Sequence, residues 1–165
     1  MNGTARLSLP FLSPGQAQKE FIHNEALQSL DIAVAAAVEE APRSDPPTGA
    51  ALGACYIVGA APTGEWAGKP QSLACATTGG WRFLAPIEGF SVFVKDLGVW
   101  ATYRTGDWEI GPLRGSGVFV DGQQVVGARG AAIALASGGA TVDSEARAAI
   151  EAVLVALRQH GLIAT

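Results

Sequence analysis

Any reactive site in this chain must be drawn from two histidines, two cysteines, its hydroxyls and 15 carboxylates. Nucleophilic catalysis needs a Ser or Cys within reach of a base that a third group orients. His23 lies in a helical pattern among Gln and Glu, and His160 falls in the last turn before the C-terminus. Neither adjoins a Gly-x-Ser-x-Gly elbow, and the sequence contains none. A glycosidase needs paired carboxylates about 5 Å or about 6.5 to 9.5 Å apart. Glu65, Glu88, Asp96, Asp107 and Glu109 are available, but most sit beside Gly, where solvated turn residues are the common case. Gly111, Gly115 and Gly117 are not followed by the Lys-Ser or Lys-Thr pair that would cradle phosphate. Cys55 and Cys75 occupy short apolar stretches without metal-ligand spacing, which reads as two buried thiols, with a disulfide between neighbouring strands as the alternative. No catalytic residue, metal site or cofactor is expected, and the chain does not read as an enzyme.

Binding chemistry is better represented. Trp66, Trp81, Trp100 and Trp108 cluster with Tyr103 in one half of the sequence. Aromatic rings stack on the apolar faces of sugars, although burial of about 150 to 250 Å² in a core is the commoner fate of such a ring. Trp66 and Trp108, flanked by Gly, Glu and Asp, are expected at exposed turns, and with Tyr103 they are the candidate carbohydrate-binding residues. Trp81 and Trp100 are expected in the core. The amides of Gln16, Gln18 and Asn24 offer donors and acceptors together, and Gln16, Glu20 and Asn24 recur every fourth residue on one helical face. Such a strip can fix a helix against neighbouring backbone or hold a partner.

The elements that must position these residues follow from periodicity. Ser13, Pro14 and Gln16 form a capping box with Pro at the first helical position. Apolar residues at Phe21, Ile22, Leu27, Leu30, Val34 and Val38 continue the pattern, predicting one long helix from Ser13 to Glu40 that stops ahead of Pro42. Leu27, Leu30 and Val34 form an apolar face on this rod for the subunit's own core or for copies of the chain. Before it, Leu7 to Leu12 is an extended arm or edge strand broken by Pro10. From residue 52 to 110, short apolar runs punctuated by Gly, Pro and Asp predict strands of a small antiparallel sheet or barrel.

After a Gly-rich hinge at residues 111–117, Val118 to Val126 carries the Asp121-Gly122 signal of a two-residue hairpin turn. The last helix starts with Asp143 as cap and stops at Gly161. Ala146, Ile150, Val153 and Leu157 recur at spacings of four, three and four, a short coiled-coil-like seam. Packing on its own domain and packing on further copies are both open. The predicted class is α+β, with an arm and helix at 1–42, a Trp-rich β module at 43–112, and a hairpin and amphipathic helix at 113–165.

The box Gln16-Ala17-Gln18-Lys19, with His23-Asn24-Glu25-Ala26-Leu27 and Leu30-Asp31, resembles the opening of a phage and prophage domain of unknown function. That domain is found in tail-fibre-like proteins and in the gene transfer agents of alphaproteobacteria. The resemblance continues through Gly64-Glu65-Trp66, Gly80-Trp81-Arg82-Phe83 and Gly106-Asp107-Trp108. The segment from Gly122 to Ile133 and the final helix to Ala164 are similar to a C-terminal piece of the same virion proteins. It implies a structural virion protein, a head spike or fibre component at the virion surface, partnered by copies of itself in a trimer or pentamer and by a capsid vertex or fibre protein. A carbohydrate-binding adhesin recognising host capsular polysaccharide is the alternative implied, and a polysaccharide-degrading enzyme a weaker one. The net charge of −4 argues against duplex DNA as a partner. The first ten residues lack a signal-peptide pattern, so synthesis in the bacterial cytoplasm without membrane insertion is expected.

Overall fold

The computed structural model describes residues 3–12 and 19–165. The fold is α+β, and the chain divides into two compact units, Met1–Leu113 and Arg114–Thr165.

In the first unit, helix α1 spans Lys19–Ala33 and is followed by strands β1 (Ala37–Val38), β2 (Cys55–Ile57), β3 (Leu73–Thr77), β4 (Gly80–Leu84), β5 (Ser91–Val94), β6 (Val99–Arg104) and β7 (Asp107–Ile110). The strands form two sheets instead of one, in the orders β1-β5-β6-β7 and β2-β3-β4. All pairings are antiparallel except β1 with β5. Thr105 and Gly106, both at positive φ, close the β6–β7 hairpin, the backbone that a two-residue turn matched to strand twist requires. Residues Val38, Cys55, Ile57, Leu73, Cys75, Val92, Val94 and Trp108 pack with Ile32 of α1 into one core drawn from both sheets.

Helix α1 has 15 residues, not the long rod that the apolar pattern predicts. Ala35 takes a positive φ of 48° and turns the chain out of helix. Ala37 and Val38 then pair with Phe93 and Val94. An almost unbroken Ala, Val and Ile run fits a buried strand as well as a helix, and pairing with β5 decides the outcome. The predicted capping box at Ser13 to Gln16 lies outside the described residues.

The arm is tied to α1 by a reciprocal clasp. The buried Asp31 carboxylate accepts from Thr4 Oγ1 at 2.8 Å and Arg6 N at 2.9 Å, and also from Leu7 N. In return the Arg6 guanidinium donates to the carbonyls of Asp31, Ile32, Val34 and Ala35. These are carbonyls at and just past the end of α1, where a helix has no internal donors and a cation is favoured. Asn24 adds a two-way amide contact, accepting from Leu12 N at 3.0 Å and donating to Leu12 O at 3.3 Å.

In the second unit, β8 (Val118–Val120) and β9 (Gln123–Val126) form a separate two-stranded hairpin whose turn, Asp121 and Gly122, has positive φ at both residues. Helix α2 spans Ser144–Gln159. Asp143 Oδ1 caps Ala146 N at 2.8 Å. Gly161 N bonds to Arg158 O and Leu162 N to Leu157 O, each at 2.9 Å, the paired bonds of a Schellman stop. Leu154 and Ile163 are the buried large apolar residues of this unit. Among the described residues, no helix is long and apolar enough to cross a membrane.

Candidate functional site

The feature of the first unit best suited to binding lies on the outer face of the β2-β3-β4 sheet. Alternation along β2 sends Cys55 and Ile57 into the main core and Ala54, Tyr56 and Val58 to the other face. There Tyr56, Trp66 and Trp81 form an aromatic triangle with centroid separations of 5.9 Å, 5.9 Å and 5.1 Å. A single 3-10 turn, Gly64–Trp66, splits its residues between two environments. Trp66 points inward and has 0% exposure, while Glu65 stays at the surface and accepts from Trp81 Nε1 at 3.1 Å.

Trp81 is half-buried and borders an open cleft of about 490 Å³ lined by Pro46, Pro47, Thr48, Glu65 and Thr77 among others. Its indole is held on three sides, by Trp66, by Tyr56 and by Glu65, so its exposed surface is already ordered before anything binds. Ala76, directly opposite Trp81 on β3, is small enough to leave that surface open. The Thr77 hydroxyl donates to Gly80 O at 2.7 Å. Among the described lining residues Glu65 is the one charged group. A rigid aromatic face beside an acceptor carboxylate suits a ligand with an apolar face and outward hydroxyls. The carboxylate disfavours anions. Burial is also the main reason that the Tyr56 phenol has its pKa pushed up, with the Glu39 and Glu40 charges adding to it.

A second cavity, of about 400 Å³, lies between the arm and α1 beside Gln28, Asp31 and Cys75. Its carboxylate already takes three donors from the arm, which leaves it little capacity for a ligand. Cys55 and Cys75 are free, buried and directly opposed across β2 and β3. The hydrogen bond between the two sulfurs, helped by burial, pushes the Cys55 thiol pKa upward. Among the described residues no group of three or more His, Cys, Asp and Glu is placed to hold a metal ion.

The aromatic residues expected at the surface are inside. Trp66 is wholly covered, and Trp108 is 7% exposed, with Nε1 donating to Gln71 O at 2.8 Å and its ring against Phe90 and Tyr103. Tyr103 is half-buried and packs on the main core. Strand parity explains the reversal: Trp108 and Ile110 of β7 face the core, as do Val99, Ala101 and Tyr103 of β6. The same parity turns Trp100 outward, where it is 49% exposed and meets Phe93 edge-on at 5.7 Å. The alternation Val99, Ala101, Tyr103 was a readable signal, whereas flanking Gly and Asp mark a turn without fixing which way its Trp faces.

The residues expected to mediate attachment or oligomerisation are dispersed. Gln16 and Gln18 lie outside the described residues. Asn24 holds the arm, Leu27 is half-buried, and Leu30 and Val34 are exposed. On α2, Ile150 and Val153 are exposed and Leu157 is half-buried.

A family model described as a protein of unknown function, DUF2793, matches residues 23–109. No curated protein matches the chain. The matched residues run from α1 through β7, carry every strand of both sheets and the whole Trp81 cleft, and cover more than half of the sequence, so the chain belongs to this family.

Proposed function

We propose that this protein is a structural virion protein, a head-spike or fibre component of a phage-like particle of the gene transfer agent kind, and that it contributes to attachment to the host cell surface. It is displayed at the virion surface after assembly in the bacterial cytoplasm. Its partners are further copies of itself, a capsid vertex or fibre protein, and the host's capsular polysaccharide. The resemblance of its N-terminal box to virion domains points to this role. The observation that carries the assembly half is the amount of apolar side chain that one chain leaves uncovered: Val118, Phe119, Val120, Val125, Ile150 and Val153 all face outward in the second unit. A two-stranded hairpin in water is marginal by itself, and so is an isolated helix of 16 residues. Such elements belong in an assembly.

A second reading, a carbohydrate-binding adhesin, is favoured by the Trp81 cleft, and the two readings are compatible. Trp81 supplies the stacking face and Glu65 accepts hydrogen bonds from sugar hydroxyls, in place of Trp66, Trp108 and Tyr103. Among its described lining residues the cleft holds one carboxylate, so binding without cleavage is the reading. Purified protein is titrated with neutral and anionic capsular oligosaccharides and followed by tryptophan fluorescence and calorimetry. Trp81→Ala abolishes binding. Glu65→Gln weakens it about tenfold, as expected for loss of a charged hydrogen-bond acceptor worth about 1.5 kcal/mol. Unchanged affinity in both variants eliminates the cleft. Binding of labelled protein to encapsulated cells, but not to matched cells lacking capsule, tests attachment itself.

A further inference from the structure

Helix α2 presents two apolar directions, and the chain covers one of them while leaving most of the other exposed, with Leu157 half-buried. Leu154 is buried, with Arg147 and Arg158 on the same side. The guanidinium of Arg147 donates to Gly138 O, and that of Arg158 to Ile133 O at 2.7 Å, so this side of the helix is tied to the extended segment that precedes it. Roughly a quarter turn away, at about 100° per residue, lie Ala146, Ile150, Val153 and Leu157. Ile150 is 48% exposed and Val153 58%.

We infer that this second face is covered by two further copies of the same chain, so that α2 forms a parallel three-helix bundle. The spacing of four, three and four places Ala146 and Val153 at d and Ile150 and Leu157 at a of a heptad. None of these four is charged; Glu145, Glu151 and Arg158 fall at b and c, off the seam, while Arg147 falls at e beside it, where its guanidinium is held by Gly138 O. Ala149 and Ala156 fall at g and are small enough to let neighbouring helices approach. A heptad face of this kind is self-complementary: its knobs fit the holes of an identical helix. Strand number follows from side-chain branching. Two-stranded coils favour Leu at d beneath a β-branched a residue, whereas a β-branched d residue crowds a two-helix interface and favours three or more. Val153 is β-branched, and a ring of five would leave a pore along a seam of only Ala146, Ile150, Val153 and Leu157. This inference rests on the reading of the chain as a homo-oligomer and adds its location and copy number.

The full-length protein is measured by sedimentation equilibrium across a hundredfold concentration range, with near-ultraviolet circular dichroism reporting the buried Trp66 and Trp108. Wild type gives three times the mass of one chain. Ile150→Ser combined with Val153→Ser gives monomer with the dichroism of the first unit unchanged. Val153→Leu, which places a γ-branched residue at d beneath Ile150, shifts the assembly toward two copies. A wild-type monomer at every concentration overturns both this inference and the homo-oligomer reading. A five-copy assembly, or a three-copy assembly that survives the double substitution, overturns this inference alone.

Discussion

Trp66 and Trp100 are separated by their surroundings and not by their chemistry. Trp66 has no exposed surface and meets two aromatic rings, Tyr56 at 43° and Trp81 at 88°. Trp100 has one ring partner, Phe93, and lies half in water. Truncating a fully buried ring removes its transfer energy and leaves a cavity that rigid neighbours cannot fill, so Trp66→Ala should cost about 3–5 kcal/mol. It should also release Trp81 from one of its three supports and lower the oligosaccharide affinity proposed for the cleft. Trp100→Ala should cost no more than about 1 kcal/mol, the scale of one edge-to-face contact. Urea denaturation of both variants measures the difference, and similar losses would contradict the burial assignment. Trp66 was misassigned because turn residues reveal where the chain reverses and not which way a ring within the turn faces. Trp100 was misassigned because the parity of β6, which turns Val99, Ala101 and Tyr103 inward, sends it to the other side.

At the level of elements, the end of α1 depends on a residue well upstream. The helix has no basic residue in its own last turn, and Arg6 supplies the cation from the arm. Asp31 holds that arm in place in exchange. Asp31→Ala should leave the Thr4 hydroxyl and the amides of Arg6 and Leu7 without their acceptor, a loss of about 3 kcal/mol. Asp31→Asn keeps one accepting oxygen and should lose about half as much. Hydrogen exchange at the Arg6 and Leu7 amides locates the effect, and equal losses in the two variants would exclude the clasp as its cause. The clasp also shows why the helix boundary was illegible. Strands β2 to β7, the Asp121-Gly122 turn and the cap and stop of α2 follow from local signals within a few residues: alternation, Asp-Gly, an Asp cap and a Gly stop. The end of α1 is set instead by Arg6 and by β5, two long-range partners that periodicity in the helix cannot reveal. The cleft was half legible for the same reason. Gly64-Glu65-Trp66 and Gly80-Trp81 were visible as motifs, but their meeting across the sheet was not.

For the whole molecule, the two units differ in how far they are self-sufficient. The first has a core drawn from two sheets and a helix, with a second aromatic layer outside it. The second buries Leu154 and Ile163 and little other large apolar surface. Domains that bury so little gain stability from partners, so the second unit should depend on assembly and the first should not. Residues 111–116, between β7 and β8, are exposed and form no helix or strand, and such segments are preferred sites of nicking. Limited trypsin digestion of the assembled protein should therefore cut first at Arg114 and leave two resistant products. The N-terminal fragment should elute as a folded monomer and keep the oligosaccharide affinity proposed for the cleft, because the described residues lining it fall within 46–81. The C-terminal fragment should stay oligomeric while α2 is intact and be degraded rapidly when Ile150 and Val153 are replaced by Ser. Mass spectrometry of a digestion time course checks both expectations. Loss of sugar binding on cleavage would place part of the binding site beyond residue 114, and equal resistance of the substituted C-terminal fragment would show that this unit is stable without its copies.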